Sequence, residues 1–198
     1  MWVLPDTPSA ARYVFADAFV NPTTDVPLAS HTPAIGGPWV DLVAGLEVVS
    51  NGILGIVTSG STSPVLSSVD VGVSVGTASM DFQFSSLADA DYVTLFFPID
   101  TFTKGFFFGI HADGTCPWSY VADDGYTVTG TSSWVPDLLR HTLNINFDGV
   151  QFVVSLDGVD ILFVPTAGHA CTQTGLTISM LIASTLEIGV WDIVVTTP

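Results

Sequence analysis

The sequence predicts an all-β fold, a two-sheet antiparallel jelly-roll sandwich made by one domain over residues 1–198. Three observations support it. Apolar and polar residues alternate in several segments, Gly and Pro interrupt the chain at short intervals, and no window repeats apolar residues at helical spacing over three turns. A chain of 198 residues that is 48% hydrophobic can also bury a substantial core. Residues 1–11 could form an extended N-terminal arm.

The first half of the chain contains several strand patterns. The segment RYVFADAFV is strand-like, and Ser59–Ser68 is low in complexity and is expected to be a surface loop. Alternating valines from Val69 to Val75 and the apolar residues of Met80–Phe84 predict two strands. The runs Tyr92–Ile99 and Lys104–Ile110 are apolar at nearly every position, which predicts strands that are buried on both faces or have a covered outer face.

The clearest pattern is a three-stranded meander in the second half. Two Asp-Gly turns, Asp148-Gly149 and Asp157-Gly158, separate three alternating segments. Two-residue loops would set Phe147 opposite Val150 and Leu156 opposite Val159. The expected inward set is Leu143, Ile145, Phe147, Val150, Phe152, Val154, Leu156, Val159, Ile161 and Phe163.

The last strand is predicted over Ile188–Val195 and should pair with the first. Its alternation directs Gly189, Trp191, Ile193 and Val195 inward. Helix is expected only as a single turn around 136–140.

The charge of the chain limits the kinds of partner that can be expected. The net charge is −16, and Arg12, Lys104 and Arg140 are the only Lys or Arg residues. Three scattered bases cannot neutralise a phosphate backbone or bind an anionic membrane, so neither nucleic acid nor membrane is an expected partner. No apolar stretch reaches the ~20 residues of a membrane-spanning helix. Only 11% of the residues are charged, against about 25% in an average protein, which suits packing against neighbours.

Four sequence features resemble the concanavalin A-like lectin/glucanase superfamily, in particular the laminin-G-like jelly rolls of bacteriophage virion proteins and bacterial surface proteins. They are F-x-D-x-F (Phe15 to Phe19), HTP-x-x-GG-x-W (His31 to Trp39), the paired Asp-Gly turns and the terminal Trp191-Asp192. The resemblance implies two antiparallel sheets, adjacent termini and one concave face. Members of this superfamily include glycan-binding modules, glycosidases and structural virion parts, and fold alone does not choose among them.

Catalysis is not expected. Most glycosidases need two carboxylates that flank the scissile bond, and the superfamily's Glu-x-Asp-x-x-Glu type motif is absent. The only glutamates, Glu47 and Glu187, are isolated, although a pair of aspartates stays open. The segment Gly60–Pro64 does not match a nucleophile elbow.

The candidate metal ligands and the two cysteines each allow more than one interpretation. Asp113, Asp123 and Asp124 could hold calcium, as laminin-G-like domains often do, or could serve only as Asp-Gly turns. No cofactor is required. Cys116 and Cys171 could form a disulfide or stay free. With His111 and His169 they offer zinc ligand types, but at an unfamiliar spacing.

Aromatic residues offer a candidate glycan-binding surface. Trp118, Tyr120, Tyr126 and Trp134 could form a stacking platform for sugar rings, or could belong to the core, where sandwiches place most large aromatics.

Composition and resemblance together favour a non-enzymatic structural virion protein. It would be a capsid decoration or tail-associated subunit that forms homo-oligomers, packs on capsid or tail proteins and contacts host glycans. The alternative is a carbohydrate-binding module of a bacterial or phage surface protein, extracellular or at the cell surface. A glycosidase is the third reading.

Overall fold

The structure is a computed structural model that describes residues 11–19, 26–49, 53–56, 64–85, 87, 91–100, 103–181 and 188–198. Strands form nearly all of the regular structure in these residues. They are β1 Arg12–Asp17, β2 Val26–Pro27, β3 Val40–Val43, β4 Leu46–Val49, β5 Ile53–Ile56, β6 Val65–Asp70, β7 Gly76–Phe84, β8 Tyr92–Ile99, β9 Gly105–His111, β10 Thr115–Val121, β11 Thr127–Ser133, β12 His141–Phe147, β13 Gln151–Leu156, β14 Val159–Pro165, β15 Gly175–Leu181 and β16 Ile188–Thr197.

These strands form two antiparallel sheets, which confirms the predicted sandwich. The nine-stranded sheet has the order β14-β13-β12-β7-β16-β5-β4-β2, and β1 also pairs with β16. The seven-stranded sheet has the order β11-β10-β9-β8-β15-β6-β3. One hydrophobic core draws side chains from both sheets. The pairing of β1 with β16 joins the ends of the described chain, from Arg12 opposite Thr197 to Asp17 opposite Ile193, as expected.

The first turn of the meander is longer than predicted. Phe147 lies opposite Phe152, not opposite Val150. The carboxylate of Asp148 accepts hydrogen bonds from the N–H groups of Val150 and Gln151, which holds both residues in the loop. Val150 is therefore 67% exposed instead of buried.

A β-bulge changes the facing of β14. The register shifts in the β13–β14 pair, where Ile161 is the extra residue between the partners of Val154 and Ser155. Phe163 consequently points outward and is 58% exposed, while Val164 is buried. Val159, predicted to point inward, lies beside the turn and is also exposed.

A second bulge lies in β16. Its register with β7 shifts between Val190 and Ile193. Ile193 and Val195 are buried as predicted, but Trp191 is only partly buried and Val190 takes the inward place predicted for Gly189. Alternation identified the strand, and the bulge reversed the facing of its first half.

Strand β6 begins earlier than the valine pattern indicates. The described end of the predicted loop, Val65–Ser68, belongs to the strand, whereas residues 71–75 lie beyond it. Residues 59–63 of that loop, and 1–10 of the predicted arm, lie outside the described residues. Strand β7 fits the prediction, because Met80, Phe82 and Phe84 are buried on one side.

Helix is limited to one short 3-10 turn, Leu28–Ser30, within the described ranges. Residues 136–140 form bends, and the Asp137 carboxylate accepts a hydrogen bond from the N–H of Leu139. No helix in the described part of the chain is long and apolar enough to span a membrane.

Candidate functional site

The F-x-D-x-F and HTP-x-x-GG-x-W segments meet at one buried carboxylate. Asp17 is 1% exposed and accepts hydrogen bonds from the Phe19 N–H at 2.9 Å and from the Trp39 indole N–H at 2.8 Å. The His31 Nε2 atom lies 2.8 Å from the same carboxylate. A buried carboxylate needs such partners, so these signature residues fasten the segment around His31 and Trp39 to β1.

The four predicted stacking aromatics do not form one exposed platform. Tyr120 is fully buried, and its hydroxyl donates to the His169 carbonyl oxygen. Trp134 is 8% exposed and donates its indole N–H to the His111 carbonyl oxygen. These contacts place both rings in the core, where they cannot stack on a ligand.

The other two predicted aromatics are partly buried. Trp118 packs against the core and lies directly on Gly130 of the neighbouring strand. Tyr126 stacks on the His169 ring, with centroids 3.8 Å apart. Both Trp118 and Tyr126 pack against the core, so the alternative that large aromatics serve the core describes all four rings, and Tyr126 also has one face occupied by a histidine.

The predicted calcium ligands are divided between the two ends of β10. Asp113 precedes that strand, whereas Asp123 and Asp124 follow it. A strand of seven residues spans about 20 Å, so the three carboxylates cannot share one ion. In the described part of the chain, no three His, Cys, Asp or Glu side chains form a group suited to a metal.

Each of these carboxylates instead accepts hydrogen bonds from residues that lie close to it. Hydrogen bonds from Thr115 lower the pKa of Asp113, and the His169 hydrogen bond lowers that of Asp124. Burial raises the pKa of Asp123, but hydrogen bonds from Thr172 and Gln173 outweigh it and the net direction is downward.

The two cysteines are separate buried thiols, so the disulfide alternative is wrong. Cys116 lies near the start of β10, whereas Cys171 adjoins Ala170, whose carbonyl accepts the N–H of Asp123 beyond the end of that strand. The same separation excludes a zinc site that joins them. Burial raises the pKa of Cys116 to about 12 and that of Cys171 to about 11, so both are protonated at neutral pH.

The most distinctive surface lies on the outer face of the seven-stranded sheet. In β15, Leu176, Ile178 and Met180 belong to the core, so Thr177 and Ser179 point away from it. The strand registers extend this side into a row across all seven strands, here called the outer row. It consists of Val40, Ser68, Thr177, Phe96, Phe107, Ser119 and Thr129.

Two pairs of aromatic rings lie among the hydroxyl groups of this face. The Phe96 and Phe107 rings lie 5.5 Å apart in the outer row. On the same side of these two strands, beyond the Thr94–Gly109 pair, Tyr92 stacks on His111 with centroids 4.8 Å apart. Burial raises the pKa of Tyr92 and lowers that of His111, which favours the uncharged form of both rings. The outer row contains no carboxylate.

Thr177 stands out in the outer row because its hydroxyl is unsatisfied. The residue is fully buried, and among the described residues its Oγ1 is a buried side-chain oxygen with no hydrogen-bond partner. Leaving such a group unpaired costs about 1–3 kcal/mol. A polar group of this kind in a folded protein calls for a physical explanation, and a missing ligand or water is one of them.

An open cavity of about 210 Å³, with both polar and apolar lining, lies at one end of this face. Its polar lining consists of Ser68, Asp70, Asp100, Gln173 and Thr174. Ser68 connects it to the outer row, because it lies directly opposite Thr177. The cavity lies where β6 and β8 end and β15 begins, so neighbouring strands bring together residues that are distant in sequence.

The carboxylates of the cavity are held by short hydrogen bonds. Asp70 Oδ1 accepts from the Gly72 N–H at 2.9 Å and from the Thr174 hydroxyl at 2.8 Å. Asp100 accepts from the Thr103 N–H and hydroxyl and from the Lys104 N–H. These bonds fix the orientation of both carboxylates before any ligand arrives.

Sequence reasoning did not select Thr177, Phe96, Phe107, Asp70 or Asp100. A signal for Thr177 was present, because polar and apolar residues alternate in the segment GLTISML. The partners of Thr177 depend on the pairing of β15 with β6 and β8, and no local pattern specifies that pairing.

No protein-family model and no curated protein sequence matches this chain. Several solved structures are similar to it. A non-specific endo-β-1,3(4)-glucanase of family GH16 is similar with a TM-score of 0.65 and 12% identity, over 96% of this chain and 92% of that one. A carbohydrate-binding module of family CBM66 from Bacillus subtilis gives a TM-score of 0.59 and 12% identity, over 78% and 92%.

The botulinum neurotoxin serotype G binding domain is also similar, with a TM-score of 0.56 and 8% identity. The match covers 93% of this chain and 47% of the neurotoxin domain. At these identities the similarities show the fold alone, a jelly-roll sandwich of two antiparallel sheets. They show neither a phage nor a virion origin.

Proposed function

We propose that this chain is a carbohydrate-binding module that binds glycan on the outer face of the seven-stranded sheet. The observation that carries the proposal is the outer row itself, in which two partly exposed aromatic rings lie in the same row as the accessible hydroxyls of Ser68 and Thr129. Ligand sites combine apolar and aromatic surface with a few fixed polar groups, and a sugar offers C–H faces to the first and hydroxyls to the second.

The absence of carboxylates from the outer row favours binding over hydrolysis. A glycosidase usually places two carboxylates on either side of the scissile bond. Asp70 and Asp100 lie at the end of the face, where each accepts hydrogen bonds from its own loop. That the chain is not an enzyme stays a prediction, and incubation with neutral β-glucans followed by a reducing-sugar assay tests it.

The similar structures support the same proposal. By their names they include a carbohydrate-binding module, a toxin binding domain and a glucanase. They therefore favour glycan binding over the structural virion role that composition predicted. Glycan binding also suits an extracellular or cell-surface location.

The test is a glycan array probed with the purified chain and with two matched variants. Phe107→Ala removes a ring from the outer row, whereas Phe163→Ala removes an exposed ring from the outer face of the opposite sheet. We expect Phe107→Ala to weaken binding about tenfold and Phe163→Ala to leave it unchanged. Equal losses in both variants, or no glycan bound by the wild-type chain, would contradict the proposal.

A structural subunit remains a second candidate, because two regions expose apolar side chains. The edge strand β3 exposes Val40, Leu42 and Val43, and the loop before β12 exposes Val135 and Leu139. Such patches suit burial by other copies or by capsid or tail proteins. Light scattering after size exclusion tests self-association, and the copy number in purified particles tests the virion role. A monomer absent from particles would contradict both.

A further inference from the structure

We propose that strand β11 is a dimer interface, on which the β11 strand of a second copy of this chain pairs in antiparallel orientation. The pairing joins the two seven-stranded sheets edge to edge, with both outer faces on the same side. The inference goes beyond glycan binding, and its tests measure association of the protein alone. Its supports are an unprotected sheet edge, the direction of the backbone groups there, a symmetric sequence and a lack of charge.

Strand β11 is an edge strand without the features that usually prevent edge pairing. It ends the seven-stranded sheet, so in the described part of the chain only β10 lies beside it. Folded proteins commonly protect their edge strands with charged side chains, proline, bulges or short length. The sequence TVTGTSS of β11 has no charged residue and no proline, and it pairs with β10 over its whole length without a register shift.

The other strands that have a neighbour on one side all carry such a feature. Strand β2 has two residues and ends at Pro27, and β3 has four residues and a register shift. Strand β14 has a bulge and ends at Pro165. Strand β1 has a register shift, and hydrogen bonds between Ala16 and Ile35 occupy part of its other side. Among the sheet edges within the described ranges, β11 is therefore the one most open to another strand.

The backbone groups of β11 face the free edge at every second residue. Beyond one end of the strand, the Trp134 N–H donates to the Gly114 carbonyl oxygen. Beyond the other end, the Ala122 N–H donates to the Tyr126 carbonyl oxygen. Antiparallel pairs alternate between hydrogen-bonded and non-hydrogen-bonded, so this register bonds the even-numbered residues of β11 to β10. The odd-numbered residues direct their N–H and C=O groups to the free edge, and their side chains are exposed: Thr127, Thr129, Thr131 and Ser133.

The residues that face the edge are arranged symmetrically about Gly130. In an antiparallel pair centred on Gly130, Thr129 lies opposite the partner's Thr131. Thr127 then lies opposite the partner's Ser133. Every N–H and C=O group at the edge is paired in this register, in about eight hydrogen bonds, and hydroxyl side chains that form favourable cross-strand pairs lie opposite one another. A twofold dimer requires a self-complementary surface of this kind, which an unrelated strand would match only by chance.

The absence of charge in β11 favours a second copy as the partner. The chain has a net charge of −16, so most contacts between two copies would bring carboxylates together. Strand β11 brings only hydroxyl side chains, a valine and a glycine to the contact. Long-range repulsion between the copies remains, and salt screens it. The dimer should therefore be tighter at high than at low ionic strength.

Sedimentation equilibrium of the wild-type chain measures the association. We expect a monomer–dimer equilibrium with a dissociation constant of about 10 µM. Raising the NaCl concentration from about 0.05 M to about 0.5 M should lower this constant several-fold. A chain that stays monomeric up to about 0.2 mM overturns the proposal. A dimer that salt dissociates also overturns it, because ion pairs would then hold the copies together.

Thr131→Glu tests the strand, and Val40→Glu is the matched control. Thr131→Glu introduces a charge near the centre of the pairing, so the dissociation constant should rise about tenfold. Val40→Glu adds the same charge at an exposed position of β3, the other edge of the same sheet, and should leave the constant within about twofold of wild type. Both replaced side chains are exposed, so circular dichroism should show native folding in both variants. If Val40→Glu weakens association and Thr131→Glu does not, the copies meet at β3 and the proposal is overturned.

Cysteine substitutions test the register without added charge. In a mixture of Thr129→Cys and Thr131→Cys chains, the two introduced thiols lie on directly opposite residues, whose Cα atoms are about 5.5 Å apart, a distance that a disulfide bridges. In either variant alone the introduced thiols are on diagonal neighbours about 7–8 Å apart, which is too far for an unstrained disulfide. Oxidised glutathione should therefore cross-link the mixture about tenfold faster than either variant alone. The native Cys116 and Cys171 are buried and protonated, so they should not compete. Equal cross-linking rates overturn the proposal.

Discussion

The two outer faces of this sandwich differ in the hydrogen bonding of their polar side chains. On the nine-stranded sheet, Asp81 accepts hydrogen bonds from the Arg140 guanidinium and from the Thr142 hydroxyl, both at 2.7 Å. On the seven-stranded sheet, the Thr177 hydroxyl is buried without a partner beside a cavity. Both oxygens of Asp81 are paired as folded, whereas the Thr177 hydroxyl is buried without a partner among the described residues.

The same contrast holds between two buried polar side chains. His141, in β12 of the nine-stranded sheet, lies between two carboxylates, with Nδ1 2.7 Å from Asp157 and Nε2 2.8 Å from Asp137. Both ring nitrogens are paired, and the ring packs on Phe82 and Trp134. Satisfied groups of this kind should contribute stability, while Thr177 should reduce it.

The largest effect on stability is expected for His141→Ala. The change removes two hydrogen bonds and a ring that contacts the core, so the free energy of unfolding should fall by about 2–3 kcal/mol. Urea unfolding measures it. His169→Ala is the control, because His169 is 32% exposed and has one carboxylate partner, and it should cost less than about 1 kcal/mol. Equal losses of unfolding free energy in the two variants would mean that the buried histidine with two partners contributes no more stability than the exposed histidine with one.

The contribution of His141 should depend on pH. Burial alone lowers its pKa, but hydrogen bonds to Asp157 and Asp137 outweigh burial and the net pKa is raised. A group whose pKa is higher in the folded than in the unfolded state stabilises the fold fully below its unfolded pKa of about 6.5 and loses this contribution as pH rises through the folded value. The unfolding free-energy difference between wild type and His141→Ala should therefore shrink as the pH rises from about 6.5 through the raised folded-state pKa. A difference independent of pH over this range would contradict the assignment of a charged imidazole.

The sequence patterns identified strands better than they identified facing. Alternation correctly assigned the inward side of β7 and of most of the meander, because β12 pairs with β7 and with β13 without interruption. Phe163 and Trp191 were assigned to the wrong side, since a bulge lies close to each. A bulge is a property of two paired strands, so the sequence of one strand does not reveal it.

The candidate site was harder to predict for a related reason. Asp113 and Asp123 look close in sequence, but β10 lies between them and separates them by its full length. Asp70 and Thr174 are 104 residues apart in sequence, yet their side chains are hydrogen bonded. Local patterns report which residues are buried, whereas the site depends on which distant strands become neighbours.

Matched substitutions of threonine by valine test the contrast between the outer faces. Thr177→Val should raise the free energy of unfolding by about 1 kcal/mol, because it replaces an unpaired hydroxyl with a methyl group. Thr142→Val should lower it by about 1 kcal/mol, because the Thr142 hydroxyl donates to Asp81. Urea unfolding of both variants gives the two signs. If both variants are destabilised alike, the Thr177 hydroxyl has a partner, and the distinction between the faces fails.

The smallest effect is expected on the nine-stranded face, at Arg140. Its guanidinium binds Asp81 at 2.7 Å and Asp192 at 3.0 Å and lies 4.8 Å from the Trp191 ring, but the side chain is 43% exposed. Exposed ion pairs contribute about 0–1 kcal/mol, so Arg140→Ala should lower the free energy of unfolding by less than about 1 kcal/mol. Half-molar salt should narrow the difference from wild type, because salt screens exposed pairs. A cost of several kcal/mol that salt leaves unchanged would mean that this face holds the sandwich together through Arg140. Because glycan should bind the other sheet, Arg140→Ala should leave glycan binding unchanged, which makes it a further control for the variants of the outer row.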